Sequence, residues 1–126
     1  MIQGGAMDRI FIEGLQVDAV VGVYAHERDA AQPLLFDIEL AYDNLRAAES
    51  DEVVDTIDYA AVCTHVRAFV AERQPQLLET LAEALAAQLM LSFDSQAARV
   101  RIRKPKAAEA LGAASVGVDI FRSLGA

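Results

Sequence analysis

Leu34-Leu35-Phe36-Asp37-Ile38-Glu39-Leu40-Ala41-Tyr42-Asp43 alternates in character at every step. Leu34, Phe36, Ile38, Leu40 and Tyr42 form one set, and Leu35, Asp37, Glu39, Ala41 and Asp43 the other. Side chains of a strand point alternately to its two faces, so this period of two predicts a strand after the Pro33 break. Toward the N-terminus, Ile10 and Ile12, then Val17, Ala19, Val21 and Val23, repeat the pattern with an interruption at Gly14. That reads as one long bent strand or two short ones. Toward the C-terminus, Asn44 to Asp55 is polar and acidic, a solvated connection with room for one helical turn.

The period then changes. Asp58 is placed to cap a helix whose inward residues are Val62, Val66, Phe69 and Val70, ending before Pro75. Leu78, Leu81, Leu85 and Leu89 mark a second helix ending near Phe93, antiparallel to the first. Arg99, Arg101 and Arg103 alternate with Val100 and Ile102. After an alanine-rich loop, Val116, Val118 and Ile120 alternate with Gly117, Asp119 and Phe121. The expected fold is α+β: a four-stranded antiparallel sheet with two antiparallel helices on one face, in the order ββααββ. The other face would carry Phe11, Leu35, Phe121 and the arginines, a surface for self-association or one covered by arginine stems.

Composition bounds the function. A chain of 126 residues, 54% of them hydrophobic, suits one folded domain, with residues 1–6 expected as a disordered extension, 7–122 as the domain and 123–126 as a tail. A net charge of -8 opposes binding to a phosphate backbone, so no nucleic-acid partner is expected. No apolar run is long enough for a membrane helix, and the first residues lack the features of an export signal. The single cysteine, Cys63, lies among apolar residues, so a buried thiol in a reducing, cytoplasmic compartment is expected. His26 and His65 lack the spacing or Cys partners of a zinc site, and no metal is implied. Hydrolase elbows, phosphate loops and dinucleotide fingerprints are missing from the sequence.

Four polar residues remain. Lys104 stands where a strand ends before Pro105, a solvated lysine or an acid/base group tuned by Arg103 and Lys106. Glu79 lies in a first helical turn, where a carboxylate complements the helix dipole or accepts two parallel hydrogen bonds from an amidine-like edge. Tyr59 is a core aromatic or a hydroxyl aimed into a cleft, and Glu27 a strand-end acid.

In order, these residues and their surroundings resemble dihydroneopterin aldolase, the folate-pathway family with the tunnelling fold. The resemblance runs from Met7 to about Arg122, through Met7-Asp-Arg-Ile-Phe-Ile-Glu-Gly-Leu15, Gly22-Val-Tyr24, Glu27-Arg28, Gln32-Pro33 and Phe36-Asp37-Ile38-Glu39. It continues through Ala47-Ala48, Ser50-Asp51, Asp55-Thr56-Ile57-Asp58-Tyr59-Ala60, Leu78-Glu79-Thr80-Leu81-Ala82-Glu83, Lys104-Pro105 and Val116-Gly117-Val118. It implies retro-aldol release of glycolaldehyde from 7,8-dihydroneopterin, leaving 6-hydroxymethyl-7,8-dihydropterin. By resemblance, Glu79 anchors the pterin with Leu78 backbone, and Ile57, Asp58, Val23 and Gln76 complete the substrate site. Lys104, Tyr59 and Glu27 are the implied catalytic residues, Tyr59 reaching a neighbouring subunit's site in a homo-oligomer, a tetramer or octamer.

No cofactor is implied, because the dihydropterin C=N bond itself can accept the electrons of the breaking bond. An epimerase of the same fold, acting on neopterin or its triphosphate, shares the intermediate. A non-catalytic pterin-binding oligomer is the reading from another class, whereas the zinc-dependent pyruvoyl-tetrahydropterin synthases lack support without their histidines. The chain departs from the family at Lys106, often Gly in relatives, in its alanine-rich 107–114 segment, and at Ala25-His26, where many relatives have Asp-Trp.

Overall fold

The computed structural model describes residues 8–125, so the expected extension, 1–6, lies outside the described residues. The elements are β1 (Arg9–Ala19), α1 (Ala25–Arg28), β2 (Gln32–Ala41), α2 (Leu45–Ser50), a 3-10 turn (Val53–Asp55), α3 (Tyr59–Ala71), α4 (Leu78–Ser92), β3 (Ala97–Arg103), α5 (Pro105–Leu111) and β4 (Gly117–Ser123). Among the described residues the strands form one antiparallel sheet in the order β1-β2-β3-β4. The two long helices and the ββααββ order are as expected, with three short helices added in the connections.

Alternation decides the faces. Gln32, Leu34, Phe36, Ile38 and Leu40 of β2 and Ala98, Val100 and Ile102 of β3 are all buried toward the helices. They share one core with Val62, Val66, Phe69 and Val70 of α3 and Leu78, Leu81, Leu85 and Leu89 of α4. Asp58 caps α3 as expected, accepting from the amides of Ala60 at 3.0 Å and Ala61 at 3.4 Å. Cys63 is only half-buried, against expectation, because it sits one position past Val62 and so turns away from the inward stripe.

β1 changes parity at Gly14. Ile12 pairs with Ile38 but Leu15 with Phe36, which leaves one extra residue in β1, a β-bulge. Gly14 supplies the left-handed conformation, φ +67°, and its N–H donates to Asp37 Oδ1 at 2.7 Å. The bulge moves the inward positions from Ile10 and Ile12 to Leu15, Val17 and Ala19, so that both halves face the core. β1 stops at Ala19. Val21 is still fully buried, but Gly22, φ +134°, turns the chain, and Val23 emerges exposed instead of continuing the strand.

Two further expectations need correction. β2 starts at Gln32, before Pro33, whose missing N–H lies beyond the β3 pairing of residues 35–40. The alanine-rich segment is not all loop: α5 occupies most of it, with Pro105 in its first turn and Gly112 in the left-handed conformation at its end. On the face away from the helices, Glu39 pairs in register with Arg99 and Asp37 with Arg101. Arg99 clasps Asp119 through Nε–Oδ1 at 2.9 Å and Nη2–Oδ2 at 2.6 Å, which lowers the Asp119 pKa. Phe11 and Phe121 stand exposed on this face.

Candidate active site

An open cleft of about 740 Å³ lies where the ends of β3 and β4 meet α1, α5 and the start of α4. Lys104 is fixed in it by its backbone. Its N–H donates to Val116 O at 2.9 Å, and its carbonyl accepts the Ala108 N–H at 3.0 Å, opening α5. The side chain therefore leaves a strand end held on both sides. Nζ meets Glu27 Oε2 at 2.6 Å, with 15% and 12% of the two side chains exposed. Neither residue is a solvated surface charge, and the ionic neighbour of Lys104 is a carboxylate. Arg103, one residue earlier in the pleat, turns to the opposite face and meets Asp37 at 2.9 Å.

Glu27 is held from several directions. Its Oε1 accepts the Tyr24 N–H at 3.3 Å, the reach-back of a third helical residue to the residue before its helix. The Lys104 hydrogen bond is the main cause that lowers its pKa; the Tyr24 amide, the lysine charge and the Gln32 side chain act in the same sense, and burial opposes them. Gly22 is required beside it, since a Cβ there would overlap the Glu27 carboxyl group.

In the same cleft, Glu79 occupies the first turn of α4 and is exposed. Its carboxylate makes no hydrogen bond or ion pair among the described residues, and the helix start has no side-chain cap. A free carboxylate thus stands beside unpaired N–H groups of a helix N-terminus, donors and acceptor together. That arrangement matches a planar ligand edge carrying both donors and acceptors.

Of the residues singled out from sequence, Val23, Glu27, Gln76, Leu78, Glu79 and Lys104 line this one cleft. Ile57, Asp58 and Tyr59 do not line it within a single chain. Ile57 is packed in the core, Asp58 is engaged in capping α3, and Tyr59 is 65% exposed, so it is not the core aromatic that one reading expected. Sequence reasoning passed over Tyr24, Gln32 and the α5 wall of Ala107, Ala110 and Leu111. Gln32 carried a signal, because it continues the inward parity of β2. His26, at a departure from the family pattern, also lines the cleft, stacked on Tyr24 with ring centres 5.9 Å apart.

A sequence profile described as dihydroneopterin aldolase matches residues 10–121. The chain belongs to the dihydroneopterin aldolase family. It is 42% identical over 116 residues to the dihydroneopterin aldolase of Escherichia coli K12, covering 92% of this chain and 93% of that one. The crystal structure of the E. coli dihydroneopterin aldolase in complex with neopterin superposes with a TM-score of 0.87 at 41% identity, over 93% of this chain and all of that one. A Burkholderia dihydroneopterin aldolase bound to guanine superposes with a TM-score of 0.78 at 25% identity, over 94% of this chain and 93% of that one. Dihydroneopterin aldolases are lyases, and membership makes this chain an aldolase of the folate pathway, on the fold expected from its sequence.

Proposed function

We propose that the cleft binds 7,8-dihydroneopterin and cleaves it to 6-hydroxymethyl-7,8-dihydropterin and glycolaldehyde, using the residues assigned here. The observation that carries the residue assignment is that a Glu79 carboxylate without a partner among the described residues and a shielded Lys104–Glu27 pair line one cleft. Glu79 accepts hydrogen bonds from the 2-amino group and N3 of the pterin, and backbone at Leu78 supports that edge. Val23 and Gln76 line the bound ring. The substrate tail then reaches Lys104 and Glu27.

Cleavage removes the proton of the tail hydroxyl next to the scissile carbon–carbon bond, with Lys104 and a water as acceptors. The hydroxyl carbon becomes the aldehyde of glycolaldehyde. The bonding pair passes into the C=N bond of the dihydropterin, giving an enamine, and protonation of the side-chain carbon restores the C=N bond and completes the product. Glu27 holds and orients Nζ, and Tyr59 assists the final proton delivery. The heterocycle is the electron sink, so Lys104 forms no covalent bond.

Tyr59 acts in this scheme from a neighbouring subunit, bringing Ile57 and Asp58 to the rim of that site. Its exposure supports the reading, as does the neighbouring 3-10 turn, where Val53 and Val54 are 65% and 82% exposed. The working form is therefore a homo-oligomer, a tetramer or octamer. One half-buried cysteine suits a cytoplasmic enzyme. No described helix is long and apolar enough to cross a membrane.

The epimerase reading retains a specific support: His26 and Lys106 line the same cleft and could receive a phosphorylated tail. Chromatography of products from dihydroneopterin and its triphosphate separates the possibilities. Equimolar glycolaldehyde and hydroxymethyl product is expected from dihydroneopterin. Epimer without glycolaldehyde would replace the aldolase reading with the epimerase, and binding without turnover would replace both.

A further inference from the structure

We infer that Arg28 is a positioning residue that sets the register between the two walls of the cleft. The inference rests on the proposed function, since it concerns how the anchoring wall and the acid/base wall are kept in step.

The guanidinium of Arg28 is half-buried and spans three backbone carbonyls. Nη1 donates to Gly22 O at 3.3 Å and to Pro75 O at 2.9 Å, and Nη2 donates to Gln74 O at 2.7 Å. No ion pair recorded among the described residues includes it. All three of these hydrogen bonds go to joining two loops. Gly22 packs directly against the Glu27 carboxyl group, and Arg28 follows Glu27 in the chain. Gln74 and Pro75 immediately precede Gln76, Leu77, Leu78 and Glu79, all of which line the cleft. Among the described residues the only backbone–backbone hydrogen bond between these loops is a long one, Gly22 N–H to Pro75 O at 3.4 Å.

Neither loop belongs to the sheet, so strand pairing does not set their separation. A planar fork of donors does, and it fixes direction as well as distance. Leu78 and Glu79 are additionally held by α4, whose Leu81 and Leu85 are buried in the core. Loss of the Arg28 fork should therefore leave a ring-anchoring carboxylate in place while the tail falls out of line with Lys104. Misplacement on the scale of an ångström can cost about 100-fold in rate.

The test compares wild type with Arg28→Met, which keeps the apolar stem, and Arg28→Lys, measuring kcat for glycolaldehyde release and guanine affinity by titration calorimetry. Arg28→Met is expected to lower kcat about 100-fold with guanine affinity within about threefold, and Arg28→Lys to recover only part of the rate. In a Lys104→Ala background, Arg28→Met should cost little further, because there is no longer an aligned lysine to lose. Unchanged kcat, equal losses of kcat and guanine affinity, or a full additional loss in the Lys104→Ala background would each overturn the inference. Should Arg28→Met fail to assemble, Arg28→Lys decides by the same split, and wild-type kcat there overturns it. A wild type that binds guanine but releases no glycolaldehyde would instead strike the functional reading beneath it.

Discussion

Arg103 and Lys104 are consecutive cations, and the pleat at the end of β3 sends them to opposite faces of the sheet. Arg103 meets Asp37 at 2.9 Å on the outer face, where Asp37 Oδ1 also accepts the Gly14 N–H. Lys104 meets Glu27 at 2.6 Å inside the cleft, and its partner belongs to a short helix instead of a strand. The outer pair is braced by the sheet on both sides. The inner pair has one partner on a short helix outside the sheet, so strand pairing braces it on one side only. Similar charges in neighbouring positions thus differ in use because their partners differ in attachment.

Removing each member tests that contrast. The largest effect is expected for Lys104→Ala, with glycolaldehyde release falling by about 10²–10⁴-fold, the usual range for a lost acid/base group. Turnover comparable to wild type would take the lysine out of its role. Glu79→Ala should follow, with pterin affinity reduced about 100-fold in calorimetric titration while native mass spectrometry shows the assembly retained, as expected for losing charge-assisted hydrogen bonds. Unchanged affinity would refute the anchoring assignment. Arg103→Ala should act on stability, by about 1–3 kcal/mol in denaturant unfolding, and leave kcat per intact site near wild type. A selective loss of kcat would show that the outer pair is not merely a brace.

The smallest effect is one of pH. The Glu27 pKa is lower in the folded protein than in the unfolded chain, so its stabilisation is fully present above the ordinary glutamate range and is lost as pH falls through the depressed folded value. The melting-temperature difference between wild type and Glu27→Gln should accordingly be constant near neutrality and shrink only below about pH 4.3. A difference that grows on acidification would reverse the assigned direction.

Much of this was legible in the sequence where burial repeats locally. The alternation through Phe36, Ile38 and Leu40 and the stripe Leu81, Leu85 and Leu89 each state their own period. α5 escaped because its alanines supply no contrast between faces: only Ala108 is buried. Its boundary residues, Pro105 and Gly112, were the available signal. Position at element ends singled out Glu27, Glu79 and Lys104 one by one and family resemblance suggested their roles, but the Lys104–Glu27 contact joins distant parts of the chain and has no local signature. The Arg28 contacts are quieter still, since carbonyl acceptors leave no mark on side-chain identity.

The extra residue at Gly14 makes the inward set of β1 depend on a local kink. Straightening the strand with that residue retained would rotate one half of it, sending either Ile10 and Ile12 or Leu15 and Val17 into water, whereas deleting Gly14 would leave all four on one face of a regular strand. For this part of the molecule, a bend in the backbone is as binding a specification as the chemistry of the side chains on either side of it.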